Sequence, residues 1–209
     1  MILWICASVI FISHPSTGWT QEFGSAQYLA EIKQFRTQKD SVFKNDPESP
    51  LKKDQRSSFE GLNYFPVNNG FRITGQLHRY ARLRQIEVPS TNGDTITMER
   101  FGRIYFQWAE KTFWLEAYRS LETMQIEAFF TDDTNGIETY KIGRYVQLNP
   151  TTNGSYLIDF NNAYNPYCIY NNLYVCPLPP LNNHLPFEIR AGELNFGTIL
   201  ANQPHINTD

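Results

Sequence analysis

Basic tracts are missing from this chain of 209 residues, whose formal net charge is −3 and whose densest cationic stretch is the short Lys52-Lys53 pair. A polyanion-binding footprint is therefore absent, and nucleic acid is not an expected partner. No Gly-x-Ser-x-Gly elbow, phosphate-cradling loop or dinucleotide fingerprint occurs, so the sequence signatures of three large enzyme classes are lacking and no cofactor is expected. Internal repeats and low-complexity tracts are also missing. The apolar run from Ile2 to Ile12 falls well short of the roughly 20 residues that a spanning helix needs. Cysteine is scarce, with 3 residues, Cys6, Cys168 and Cys176.

What is present reads as ordinary globular chemistry, 41% hydrophobic and 19% charged, far from the signature of disorder. Aromatic residues make up 15%, with 12 Tyr and 15 Phe, and planar side chains favour a pleated, half-buried surface. The Ile2–Ile12 run suits the apolar region of a signal peptide, and Ser16 and Gly18 are small enough for a cleavage site near Trp19 or Gln21. The expectation is a signal peptide over residues 1–20 and an exported, periplasmic or secreted product with no membrane span after its removal. Cys168 and Cys176 would then be the remaining cysteines, and in an oxidising compartment they read first as a disulfide. Closing so short a loop stabilises by roughly 2.5 kcal/mol in the chain-entropy description.

A helical pattern follows, with Ser25 as N-cap and Tyr28, Ile32, Phe35 and Val42 or Phe43 forming an apolar stripe. Pro47 and Pro50 end it, and a short helical turn is expected between Leu51 and Phe59. Residues 21–60 thus form a helical segment packed on a β-rich domain over 61–196, followed by a loosely ordered tail over 197–209. Strands are expected at Phe71–His78, Leu83–Val88, Arg103–Trp108, Thr112–Tyr118, Gln125–Phe130, Tyr145–Leu148, Tyr156–Phe160 and Phe187–Ala191, with a turn at Asn92-Gly93 and a tight hairpin loop at Ala109-Glu110-Lys111. Many short strands between turn signals point to a mainly β fold, an antiparallel β sandwich or barrel-like domain with an N-terminal α-helix.

Polar residues concentrate between Asp132 and Glu193. The acidic turn at Asp132 does not satisfy EF-hand spacing, and an Asp in such a turn commonly bonds its own backbone. Arg144 carries a planar fork suited to a carboxylate, either internal (Glu138 or Asp159) or a ligand's. The loop Asp159-Phe-Asn-Asn-Ala-Tyr-Asn-Pro-Tyr-Cys168 is rich in amides, which can brace an irregular backbone or line a polar pocket. Cys168, Cys176 and His184 are donor types that suit zinc, but their spacing matches no paired-ligand pattern, and no metal is expected.

At these residues the chain resembles the bacterial and archaeal family known as domain of unknown function 1684. The resemblance rests on Ser49-Pro50-Leu51 with Phe59-Glu-Gly-Leu-Asn-Tyr-Phe-Pro66, on Asp132-x-Thr134-x-Gly136-x-Glu138-Thr139-Tyr140-x-x-Gly143-Arg144-Tyr145, and on Asp159-Phe160-Asn161-x-Ala163-Tyr164-Asn165-Pro166-x-Cys168. It continues through Cys176-Pro177-Leu178-Pro179-Pro180-x-x-Asn183 and Ala191-Gly192-Glu193. His184 stands where the family pattern leads one to expect Arg. The family implies no established activity, cofactor or partner.

Three functional expectations follow. The first is binding of a small polar or anionic ligand, a sugar or peptide fragment of the cell wall, by Glu138, Arg144, Tyr145, Asp159, Asn161, Tyr164, Asn165, Asn183 and Glu193. The second is a hydrolase with Glu138 or Asp159 as general base, or with Cys168 as nucleophile. The third is an envelope interaction protein in which the motif residues form a structural network.

Overall fold

The computed structural model describes residues 19–197, with side chains from Ala26 onward. The expected signal peptide and most of the expected tail lie outside the described residues. Helix α1 spans Trp19–Asn45, so Ser25 lies inside the helix and does not cap it. Tyr28, Ile32 and Phe43 are buried as the stripe predicts, but Phe35 and Val42 are 47% and 46% exposed. The buried face is completed instead by Arg36 and Lys39, one and two turns beyond Ile32, whose long stems cover apolar surface while their heads find acceptors. Arg36 donates to the carbonyls of Phe65 and Asn161 at 3.1 and 3.2 Å, and Lys39 pairs with Glu193 at 2.5 Å. A single turn, α2 (Lys53–Arg56), follows the prolines where a short helical turn is predicted.

Strands β1 (Arg72–Pro89), β2 (Thr95–Trp108), β3 (Lys111–Arg119), β4 (Ile126–Asp132), β5 (Arg144–Pro150) and β6 (Tyr156–Asp159) pair antiparallel in sequence. β6 returns to β1, and Tyr118↔Glu127 and Arg119↔Ile126 join β3 to β4, closing a six-stranded barrel. Of the two architectures expected, it is the barrel that forms. The β2–β3 hairpin has a two-residue loop with Ala109 and Glu110 both at positive φ, the geometry whose twist matches the flanking strands.

Alternation sorts the side chains into two cores. Ile104, Phe106, Leu115, Ala117, Ala128, Phe130, Val146, Leu148 and Ile158 point inward and fill the barrel. Their outward neighbours Tyr118, Phe129 and Tyr145 join Val88, Met98 and Cys176 in a second core. The cause is a bend in the β1–β2 ribbon. Between Arg79↔Gly102 and Arg84↔Arg100, the segment 80–83 of β1 stands opposite the single residue Phe101. Such a bulge breaks the ladder and bends the strand, and here it lays the distal ribbon over the outer face of the barrel. The two strands expected at Phe71–His78 and Leu83–Val88 are thus one strand interrupted by this bulge.

Segment 184–194 closes one end of the barrel, contributing Leu185, Ile189 and Ala191 to the inner core. The strand expected at Phe187–Ala191 does not form. Only His184–Leu185 (β7) pairs, parallel to β4, because the carbonyls beyond it are taken by a side chain and not by a neighbouring strand. No helix among the described residues is long and apolar enough to cross a membrane.

Candidate functional site

Most of the motif residues meet around the closed end of the barrel, where internal hydrogen bonds already hold them. Arg144 is fully buried at the start of β5, where the inward phase of the strand aims it into the barrel mouth. Its expected partners were Glu138 or Asp159; the partner is Asp132, at 2.8 Å. The same guanidinium donates to the carbonyls of Ile189 (2.8 Å), Ala191 and Glu193 (3.3 Å), gathering the closing segment onto β5. Asp132 in turn accepts from the amides of Thr134 (2.9 Å) and Ile189 (3.3 Å), so the acidic turn does bond its own backbone. Gly192, at φ +78°, lets this segment press on the loop after β6, where an added Cβ would lie 2.4 Å from the Ala163 carbonyl.

A second group fastens α1. The Tyr28 hydroxyl donates to Asp159 at 2.8 Å and accepts from the Asn161 amide at 3.0 Å, while Asn161 exchanges two hydrogen bonds with the backbone of Asn68. Burial, with the Asp159 carboxylate beside it, pushes the Tyr28 hydroxyl well above its ordinary value. Glu193 accepts from Lys39, from the Asn165 amide (2.8 Å) and from the Tyr170 hydroxyl (2.8 Å), and Asn165 donates to the Leu194 carbonyl.

Asn183 stands elsewhere, on the outer side of the β3–β4 seam. Its amide accepts from Glu116 N at 2.7 Å and donates to the carbonyls of Glu116 (3.0 Å) and Phe129 (2.8 Å). By the register of the seam, Glu116 and Phe129 face each other two positions beyond Tyr118↔Glu127. The side chain therefore supplies the rung that the splayed strands cannot make directly. Tyr145 donates to the Pro177 carbonyl, Tyr164 to Glu127, and Glu138 pairs with Arg190 at 2.6 Å near the surface. His184 lies beside Thr131 and Asp133.

The expected disulfide is not formed: Cys168 and Cys176 are free thiols. They are nonetheless neighbours, the Cys168 amide donating to Cys176 Sγ at 3.3 Å.

An open recess that the sequence reading did not anticipate lies beside these motifs. The exposed flank of α1 (Phe35, Gln38, Val42) faces Gln125, Gln147, Tyr164 and Tyr167 across a cleft of about 380 Å³, with Lys39 and Phe43 at its base. A side recess of about 120 Å³ shares Phe35, Gln147 and Tyr164 and reaches Asn149, Asp159 and Asn162. Tyr164 and Asp159 are thus expected site residues that also border open space. Gln38, Gln125 and Gln147 carried no signal in the sequence, because isolated surface glutamines are common. Phe35 and Val42 were read as core, since periodicity alone cannot tell which flank of a stripe is covered.

Fold and motif network together define a closed antiparallel β-barrel whose open end is sealed by its own C-terminal segment and whose flank carries a docked helix. The family model described as "Protein of unknown function (DUF1684)" matches residues 57–194, and the chain belongs to that family. Among curated proteins none matches. The solution NMR structure of an uncharacterised protein from Haloarcula marismortui is similar, with 28% identity and a TM-score of 0.64 over 83% of this chain and 97% of that one.

Proposed function

We propose that this chain is an exported binding protein that seats a small polar ligand, a saccharide fragment of the cell wall, in the cleft between α1 and β5. The observation that carries this reading is the convergence of three glutamine amides with the rings of Phe35, Tyr164 and Tyr167 on one open recess. Amides read hydroxyl groups and aromatic faces cover the apolar faces of a pyranose, a pairing suited to sugars. Lys39 lies beneath Tyr164, its ammonium 5.0 Å from the ring centroid and already paired with Glu193, so the recess favours a neutral polar ligand. Acid–base hydrolysis finds less support, because the Asp159 and Glu138 carboxylates are both held by internal donors.

The test is retention of a peptidoglycan digest on immobilised protein, read by mass spectrometry, beside the variant Phe35→Ala/Gln147→Ala. Both positions are exposed, so the variant keeps its fold. Wild type is expected to retain sugar-containing fragments and the variant to lose them at least tenfold. Equal retention by both, or none by either, sinks the cleft. That outcome favours a second reading, an envelope interaction protein without a small-molecule site, which the internal hydrogen bonds of Arg144, Asp159, Asn161 and Glu193 support. The mature N-terminus of protein taken from the export compartment, expected near Trp19 to Gln21, tests export separately.

A further inference from the structure

We infer that Cys168 and Cys176 form a redox-active dithiol that exchanges with external disulfides, Cys168 attacking and Cys176 resolving. The two thiols differ in the way such a pair requires. Cys168 is partly exposed on the short 3-10 turn Tyr167–Ile169, whereas Cys176 is buried at 6% exposure in the second core. Cys176 is held in place from outside the loop that separates the two. Thr91, in the β1–β2 turn, accepts from the Cys176 amide at 3.1 Å through its hydroxyl and donates to the Cys176 carbonyl at 3.0 Å through its own amide. The Cys168 amide donates to Cys176 Sγ at 3.3 Å, which sets the two residues side by side. The Tyr140 hydroxyl lies 4.0 Å from Cys168 Sγ.

These contacts make the partners unequal. The Cys168 thiol falls to about 6 because its thiolate is hydrogen-bonded by the Cys176 thiol, and then by the hydroxyls of Tyr140 and Thr91. The Cys176 thiol is pushed up because it shares its hydrogen with Cys168 and is buried. A thiolate, not a thiol, is the nucleophile in exchange. In the first step the Cys168 thiolate attacks one sulfur of a low-molecular-weight disulfide, a bond to that sulfur forms, and the other half leaves as a thiolate. Cys176 then gives its proton to solvent and attacks the Cys168 sulfur, forming the internal disulfide and expelling the second thiolate. The external disulfide is reduced to two thiols by the two electrons that the cysteines lose. The disulfide expected from the sequence is thus one of two states of the pair, and the structure holds the other.

The cleft and its ligand play no part in this exchange, so the test reads sulfur chemistry alone. Reduced, folded protein is exposed to glutathione disulfide, quenched in acid, alkylated and weighed intact. Wild type is expected to lose two hydrogens and both alkylation sites, passing through an adduct that peptide mapping places on Cys168. Cys176→Ser should accumulate one glutathione on Cys168, and Cys168→Ser should stay unmodified. In Tyr140→Phe the half-maximal pH of the first step should move upward from its wild-type position near pH 6. If the adduct on wild type maps to Cys176, or wild type keeps both thiols in excess disulfide, the proposal is wrong. It is equally wrong if the pair can be reduced only by unfolding the chain, which would make it a fixed cross-link.

Discussion

Arg144 shows at the scale of one residue why a binding role and a structural role look alike in a sequence. A guanidinium offers five donors in a rigid fork, and either a ligand carboxylate or a set of internal acceptors satisfies it equally well. Here Asp132 and three carbonyls take the two terminal nitrogens, all within the protein, while the buried Nε has no partner. Replacing Arg144 by Met should therefore cost about 3–5 kcal/mol, because the Asp132 charge is left buried without its counter-ion. Arg144→Met/Asp132→Leu should recover part of that loss, since no unpaired charge remains. Urea unfolding of the two variants checks this, and a single variant as stable as wild type would contradict it. The sequence announced that Arg144 needs an acidic partner; which acid it meets depends on strand phase. Asp132 and Arg144 both point inward at the same end of the barrel, whereas Glu138 pairs near the surface with Arg190 and Asp159 turns to Tyr28.

Elements were legible where periodicity and turn chemistry agreed. Strands β3 to β6 appear at the expected places, within a few residues, because inward positions recur at every second residue along each, whereas β2 begins at Thr95, eight residues before the expected Arg103. Failures came where the third dimension supplied hydrogen bonds from side chains. Segment 187–191 has strand-like composition, yet its carbonyls go to Arg144 and it stays irregular. Asn183 closes the β3–β4 seam in the same manner. Its truncation to Ala should cost roughly 2–4 kcal/mol, since three buried backbone groups lose their partner at once. Native-state amide exchange should accelerate first along β3 and β4, and uniform acceleration across the barrel would count against Asn183 as a local rung.

For the molecule as a whole, wrapping the barrel in its own ribbon and helix buries charge as well as apolar surface. Glu127 sits under Tyr164, and burial raises its carboxyl above the usual value despite the hydrogen bonds from Tyr164 and Gln147 that oppose the shift. A carboxyl whose folded value is raised adds stability at pH below its unfolded value, near 4.5, and that share is lost as pH climbs through the folded value. Glu127→Gln keeps an acceptor for the Tyr164 hydroxyl and removes the charge. Chemical denaturation should find the variant and wild type closely matched at pH 4 and the variant more stable at pH 8. A wild type that gains on the variant with rising pH would reverse the sign and refute the assignment.

The sequence by itself determined the antiparallel β character, the N-terminal helix, the turn positions and the family, because these rest on local periodicity, backbone chemistry and motif spacing. Tertiary structure alone decided that the barrel closes, that the ribbon bends at segment 80–83 to build a second core, and that the motif residues spend their hydrogen bonds on each other. It also decided where open space remains, beside Phe35 and Gln147, with Tyr164 and Asp159 the motif residues that border it. The reason is physical: burial and partner choice depend on which faces meet, and residues more than a hundred positions apart, such as Tyr28 and Asp159, meet only once the barrel has formed.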